Sequence, residues 1–327
     1  MGRFDVVALG ELLIDFTNND LSEQGNPMFE ANPGGAPCNV LSMLQNLGNS
    51  TAFIGKVGDD FFGRLLKERI EKQGIDASGL VMDSKVPTTL AFVNKLPNGD
   101  RDFSFYRKPG ADMMLTSDDV MHNRAVIEGA EVFHFGTLSM TDEPAKEATK
   151  VAVEAAKENG AIISFDPNYR EPLWKSVDEA IEAMRYGFGK CDVLKISDNE
   201  VELFTGLSDV EAGAKKIQEE FDIPLVFATL GPDGSMALYK NMVVKKEGFK
   251  NPKTIETTGA GDTFCACAID YIRRHGLEDL SEDNLEECLT FANAAASVIT
   301  TRRGALSVMP SMDEIKDFMA GFSAKVL

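Results

Sequence analysis

Asp262 stands directly after Gly259-Ala260-Gly261 and directly before an apolar run, Thr263 to Tyr271. Phe264, Ala268, Tyr271 and Ile272 fall at i, i+4, i+7 and i+8, the stripe of an amphipathic helix. The spacing predicts a glycine loop feeding a helix, with the acid in its first turn. Glycines there let backbone N–H groups crowd toward something outside the chain. Together with the free amides of a helix start they make a pocket for negative charge. The plainer reading is a tight loop in which Asp262 only favours the helix dipole; this stretch alone leaves both open.

Three further stretches place polar residues where a strand ends or a helix opens. "GELLIDF" (10–16) puts Asp15 just past a first strand. "NPGGAPCN" (32–39) is a second glycine loop, with Gly34 and Gly35, Pro37 suited to a first helical turn, and Asn39 beyond it. "FDPNYREPLW" (165–174) sets Asp166, Asn168 and Arg170 straight after another strand. Singly, each has a dull explanation as a turn former or surface charge. All of them, however, fall at one predicted edge of the sheet. One carboxylate beside an amide nest, facing Asp15, Asn39 and arginines, suggests removal of a hydroxyl proton next to a phosphoryl group. Such chemistry needs a base for the nucleophile and fixed dipoles for the developing charge.

The elements that must position these residues follow a regular rhythm. Segments 4–10, 51–55, 131–136, 161–166, 192–197 and 224–231 read as buried strands. Between them, 60–74, 143–160 and 210–222 have helical period and end at glycine or turn residues. The chain after Ala260 is mostly helical, over 282–300 and near 311–321. Apolar strands alternating with helices predict an α/β fold: a doubly wound, mainly parallel sheet with helices on both faces and ligands beyond the strands' carboxyl ends. Segment 88–107 breaks the rhythm, with period-2 strands flanking Asn98-Gly99, a hairpin signal. Segments 14–20 and 28–35 are also extended. A small second sheet, serving as a lid or an oligomer surface, is the expected result, on a single domain over 1–327 with the lid drawn from about 12–35 and 86–108.

Composition narrows the function. The 327 residues carry 33 basic and 52 acidic side chains, a net charge of −19, which repels nucleic acid. An anion must then be bound locally, by amides and a few arginines. No apolar run reaches the roughly 20 residues of a membrane helix, and no signal-peptide pattern opens the chain. Cys38, Cys191, Cys265, Cys267 and Cys288 are odd in number, apolar in setting and without CxxC spacing, so free thiols in a reducing cytoplasm are expected. The three histidines form no ligand cluster. GxxxxGK[ST], GxSxG and HExxH are absent, and the GxG at 259–261 lacks the third glycine and the setting of a dinucleotide fingerprint.

Across essentially the whole chain the sequence resembles the ribokinase-like (pfkB) carbohydrate kinase family. The likeness rests on "GGAPCNVLSMLQNLG" with "GKVGDDFFG", on "ATLGPDGS", and on "ETTGAGDTF" followed by "ANAAA" and "TRRGA". Within the family, "DRDFSFYRKPGADMMLT", "FDPNYREPLW" and "LKISDNEVELFTG" are most similar to fructokinases. The resemblance implies ATP and Mg²⁺ as cofactors and a homodimer. Asp262 would be the base, with Gly259, Ala260 and Gly261 the anion hole. Asp15, Gly34, Gly35 and Asn39 would hold sugar hydroxyls, with Arg107, Asn168 and Arg170 lining the sugar and phosphate side. Thr229, Gly231, Gly234 and Asn293 would receive the nucleotide, and Glu200 would help place Mg²⁺ through water, since Mg²⁺ dehydrates reluctantly. The chain departs from the pattern at Leu41, Ala266, Ser197 (for the Asn of NxxE) and Glu256. Glu256 stands where some relatives keep an Asp around a monovalent cation, which argues against a need for K⁺.

The resulting expectation is transfer of the γ-phosphoryl group of ATP to the 6-hydroxyl of D-fructose. Asp262, near a helix N-terminus, is expected to be ionised at neutral pH and only weakly basic. A kinase for 2-keto-3-deoxygluconate or another hexose or pentose is the nearest alternative, with Arg107 or Arg170 meeting a substrate carboxylate. A non-catalytic sugar-binding regulator is the alternative of another class, disfavoured by the intact "GAGD".

Overall fold

The computed structural model describes residues 4–95 and 101–326. Strand β1 (Phe4–Leu9) runs on into β2 (Leu13–Leu21) and β3 (Pro27–Gly34), and then come α1 (Ala36–Asn46), β4 (Thr51–Gly58), α2 (Phe61–Lys72) and β5 (Asp76–Asp83). Next are β6 (Leu90–Lys95), β7 (Arg101–Tyr106), the short α3 (Ser117–His122) and α4 (Arg124–Ile127), then β8 (Ala130–Gly136), α5 (Ala145–Glu158), β9 (Ile162–Asp166) and α6 (Val177–Phe188). The chain continues through β10 (Val193–Ser197), α7 (Asp198–Thr205), α8 (Val210–Phe221), β11 (Leu225–Thr229), β12 (Gly234–Tyr239) and β13 (Met242–Glu247). It closes with α9 (Ala260–His275), α10 (Glu282–Ile299) and α11 (Met312–Val326).

Nine strands form the main sheet in the order β13-β12-β11-β10-β9-β8-β1-β4-β5. All its neighbours are parallel except the β11-β12-β13 meander. Helices cover both faces, and the strand residues divide accordingly. Val6 and Ala8 pack with α1, α2, α9 and α10, whereas Val7 and Leu9 pack with α4, α5, α6 and α8. Burial on both sides is why β1 reads as an unbroken apolar run rather than an alternating one.

The order reverses between β1 and β8: β4 and β5 extend the sheet one way, β9 to β11 the other. Such a switch point opens a crevice at the strands' carboxyl ends. The second sheet, β3-β2-β6-β7, stands beside that crevice. It is built from the two excursions read in the sequence, while the Asn98-Gly99 turn lies outside the described residues. The hairpin β12-β13 was not legible; it turns at Lys240, whose φ of 51 is left-handed.

Candidate active site

A cavity of about 650 Å³ lies over the carboxyl edge of the main sheet, walled by both sheets and by the starts of α1 and α9. Helix α9 is anchored by its apolar stripe: Phe264, Ala268 and Ile272 are buried, the large ones contributing about 1.5–3 kcal/mol each. Its N-cap is Gly259 at φ 76, a conformation that excludes most side chains, and a Cβ there would also press on Ala305 at 2.8 Å. A helix start leaves its first amides without intrahelical acceptors, and Gly259, Gly261 and Asp262 line the cavity at this point. Ala260, the first helical residue, donates its N–H to Thr257 O at 3.2 Å and is not part of the wall.

Asp262 accepts from Asn39 Nδ2 at 2.8 Å. Burial pushes its carboxyl up to about 6, Asp166 adds to the rise, and the Asn39 bond, Lys195 and Arg170 hold it back. Burial thus makes Asp262 a stronger base than the sequence suggests while leaving it charged at neutral pH.

Across the cavity, Asp15 on β2 pairs in register with Asn32 on β3. A Cβ on Gly34 would come within 2.3 Å of Asp15 Oδ2, so only glycine leaves the carboxylate its place. Gly35, at φ 125, would meet Glu11 O at 2.4 Å. The glycine pair thus sits pressed on the turn after β1 and delivers Asn39, on the first turn of α1, to Asp262. Asn168 is held at φ 47, its N–H bonded to Asp166 Oδ1 at 3.1 Å. Strained backbone of this kind clusters at sites of function. Arg170 is exposed at the cavity mouth.

Arg107 does not join the site. It is 3% exposed and outside the wall, its guanidinium spent on Asp112 Oδ2 at 2.6 Å, Thr141 Oγ1 at 3.1 Å and Leu138 O at 2.7 Å. Thr89 also bonds Asp112. A charge this deep needs a full set of partners, and those partners take it from the sugar side.

The residues expected to meet the nucleotide lie beyond β10, around the end of β11. Thr229 pairs in register with Ser197 at the neighbouring strand end, and Gly231 follows at φ 55. Gly234 is required by packing: a Cβ would come within 2.1 Å of Lys246 O. Asn293 is buried and fastens α10 to the meander, accepting from Ser235 Oγ at 2.9 Å. None of the four is in the cavity wall.

Glu200 is in the wall and 6% exposed. One carboxylate oxygen accepts from Tyr169 N at 2.7 Å, the other from Ser197 N and Oγ at 2.8 Å each. Both oxygens are engaged, which suits a Mg²⁺ held through water rather than directly. Among the described residues no group of three His, Cys, Asp or Glu side chains forms a protein cage for a metal.

Two residues were missed in the sequence. Lys195, buried on β10, forms a salt bridge with Asp166 at 3.0 Å. A Cβ on Gly261 would lie 3.2 Å from its Nζ, so the ammonium stands beside the amide nest. Burial works against its charge, but Asp166 and Glu200 hold it above the ordinary lysine range. The signal was a lysine inside the apolar run "DVLKIS". Glu11, 4% exposed, accepts from Ala36 N at 2.8 Å; burial pushes it up to about 7.

Comparison with known proteins identifies the family. The model of the pfkB family of carbohydrate kinases matches residues 3–312. Fructokinase-1 of Zea mays is 39% identical over 316 residues, covering 96% of this chain and 97% of that protein. Fructokinase-2 of Solanum lycopersicum is 38% identical over 320 residues, covering 97% and 96%. Among solved structures, the fructokinase of Xylella fastidiosa with bound ATP superposes with a TM-score of 0.85 at 27% identity, covering 98% of this chain and 99% of that one. A double-mutant fructokinase of Vibrio cholerae in a fructose-, ADP- and potassium-bound form gives 0.83 at 27% identity, covering 97% and 99%. With the family model spanning nearly the whole sequence, the chain belongs to the pfkB family of carbohydrate kinases.

Proposed function

We infer that the protein is an ATP-dependent fructokinase, transferring the γ-phosphoryl group to the 6-hydroxyl of D-fructose to give fructose 6-phosphate and ADP. The observation that carries the reading is the placement of Asp262, one hydrogen bond from Asn39 at the start of α1 and in the same helical turn as the Gly261 amide. Full-length likeness to fructokinases supports the substrate.

In this reading Asp15, Gly34, Gly35, Asn39 and Asn168 orient the sugar, and Asp262 takes the proton of the attacking hydroxyl. Its carboxyl at about 6 is charged at pH 7 yet basic enough to receive that proton in the transition state. The amides of Gly261 and Asp262 with Lys195 stabilise charge developing on the phosphoryl oxygens. Glu200 would hold Mg²⁺ through water, and the ion would supply positive charge to the nucleotide's phosphates. Thr229, Gly231, Gly234 and Asn293 border the nucleotide.

The small sheet is the lid. Asp15, Thr17, Asn32, Val93 and Phe105 present one face of it to the cavity. On the other, Phe29 and Tyr106, 40% and 67% exposed, flank Phe92, which stacks on Phe16 at 4.9 Å. An exposed aromatic face of this kind supports a homodimer formed through the lid. All five cysteines are free and buried, which supports residence in a reducing compartment, the cytoplasm. No helix among the described residues is long and apolar enough to cross a membrane.

The engagement of Arg107 by Asp112, and of Lys195 by Asp166, leaves a keto-acid carboxylate Arg170 at the cavity mouth among the described cations of the wall, which favours a neutral sugar. ADP release from ATP and Mg²⁺ with a panel of sugars tests the reading. Fructose is expected to give the highest kcat/KM; preference for 2-keto-3-deoxygluconate, or fructose binding without ADP, overturns it.

A further inference from the structure

Behind Asp262 lies a second, small cavity of about 10 Å³, room for one water. Four titratable side chains line it: Glu11, His134, Asp166 and Asp262. Two of them are accounted for. His134 has its Nδ1 against Ser164 Oγ at 3.0 Å, and burial holds it down to about 3, so it stays neutral. Asp166 is paired with Lys195. Glu11 and Asp262 remain, two carboxylates lining one chamber that has room for a single water.

Resting on the fructokinase reading, we propose that Glu11 is the second proton acceptor of the reaction, connected to Asp262 through a single water in this chamber. The proton balance is complete. As the bond from the sugar oxygen to the γ-phosphorus forms and the bond from that phosphorus to the leaving oxygen of ADP breaks, the hydroxyl proton passes to Asp262. Asp262 then protonates the chamber water, which gives one of its own protons to the Glu11 carboxylate. Asp262 is again charged, and Glu11 carries the proton until the products leave; Glu11 also lines the main cavity, its route back to solvent.

The direction of transfer follows from the surroundings. Burial raises both carboxyls, while the Asn39 hydrogen bond, Lys195 and Arg170 favour the charged form of Asp262 and so favour its passing the proton on to Glu11. Arg107 and Asp112 also face Glu11 with opposite effects, Cys38 lies beside it on α1, and Ala36 N holds Oε1. That last bond is why Glu11 is a positioning residue as well: it secures the first amide of α1, three residues before Asn39.

The test compares wild type with Glu11→Gln, which keeps an oxygen for Ala36 N, and with Glu11→Asp. Wild-type kcat for fructose is expected to rise with pH through about 7. In Glu11→Gln, kcat should fall about tenfold or more at neutral pH and its acid limb should drop from about 7 toward about 6, that of Asp262, with fructose KM little changed; Glu11→Asp should recover part of both. An unmoved pH profile, or a loss confined to KM, overturns the relay and leaves Glu11 a support of the glycine loop. Infrared titration of ligand-free Asp262→Asn reads the acceptor without turnover: one buried carboxyl should still deprotonate near pH 7, and its absence from pH 5.5 to 8.5 overturns the proposal even if neither Glu11 variant folds. Wild type that is idle on fructose strikes the fructokinase reading alone, because the infrared result does not depend on the sugar.

Discussion

Asn39 Nδ2 and Asp262 Oδ2 meet at 2.8 Å across 223 residues of sequence, joining the first turn of α1 to the first turn of α9. The donor favours the charged carboxylate and so opposes the burial that raises it. Removing the donor in Asn39→Ala should therefore push Asp262 higher still. The acid limb of kcat is expected to move to higher pH, so that activity at pH 6.5 falls more than activity at pH 8.5. A pH series of initial rates checks this, and a uniform loss at all pH values refutes the electrostatic part of the argument.

Asp262→Asn removes the base but retains shape. Positioned acid–base groups contribute about 10²–10⁴-fold, so kcat should drop by orders of magnitude with fructose affinity little changed. Comparable turnover in the two proteins removes Asp262 from the role. Stability should move the other way. An acid raised from 3.8 to about 6 on folding binds its proton better folded than unfolded, so stability declines as pH rises through that window and stays low above it. Relief of that penalty is on the order of 3 kcal/mol at pH 8, and thermal melts of both proteins at pH 4 and pH 8 should show the variant's advantage only at the higher pH.

What the sequence revealed and withheld has a physical pattern. The GAGD nest was legible because a helical stripe from Phe264 to Ile272 and three small residues are local features. The parallel sheet was legible because two-sided burial writes itself as continuous apolar runs. Glu11 and Asp15 are a different matter: both are acids in one heptapeptide, and only the packing of Gly35 and Ala36, far along the chain, decides that Glu11 is the buried one. Lys195 needed Asp166 from the next strand before its charge made sense. The resemblance placed Arg107 at the sugar side, and its partners Asp112, Thr141 and Leu138 converge only in the fold.

Arg107 yields a test of structure against function. Arg107→Ala leaves Asp112 buried with its main partner gone, a loss of about 3–5 kcal/mol for such pairs. Urea melts should show that loss, and adding Asp112→Ala should recover part of it. Fructose KM in protein that remains folded should change little, since the guanidinium does not reach the cavity. A large rise in KM with no loss of stability would return Arg107 to the sugar site.

Glu256 Oε1 accepts from Gly304 N at 2.9 Å, tying the loop before α9 to the loop after α10. Both residues line the main cavity, and the tie holds the segment that sets Gly259 against Ala305. A protein bond that already fastens these loops leaves little for a monovalent cation to add, because an ion stabilises only in proportion to its preference for the ordered form. ADP formation from fructose should thus be the same in Na⁺ and K⁺ buffers of equal ionic strength. Glu256→Asp, one methylene shorter, should slacken the tie, lowering activity in Na⁺ and regaining part of it in K⁺. Strong activation of the wild type by K⁺ would show that the carboxylate bond does not do the cation's work.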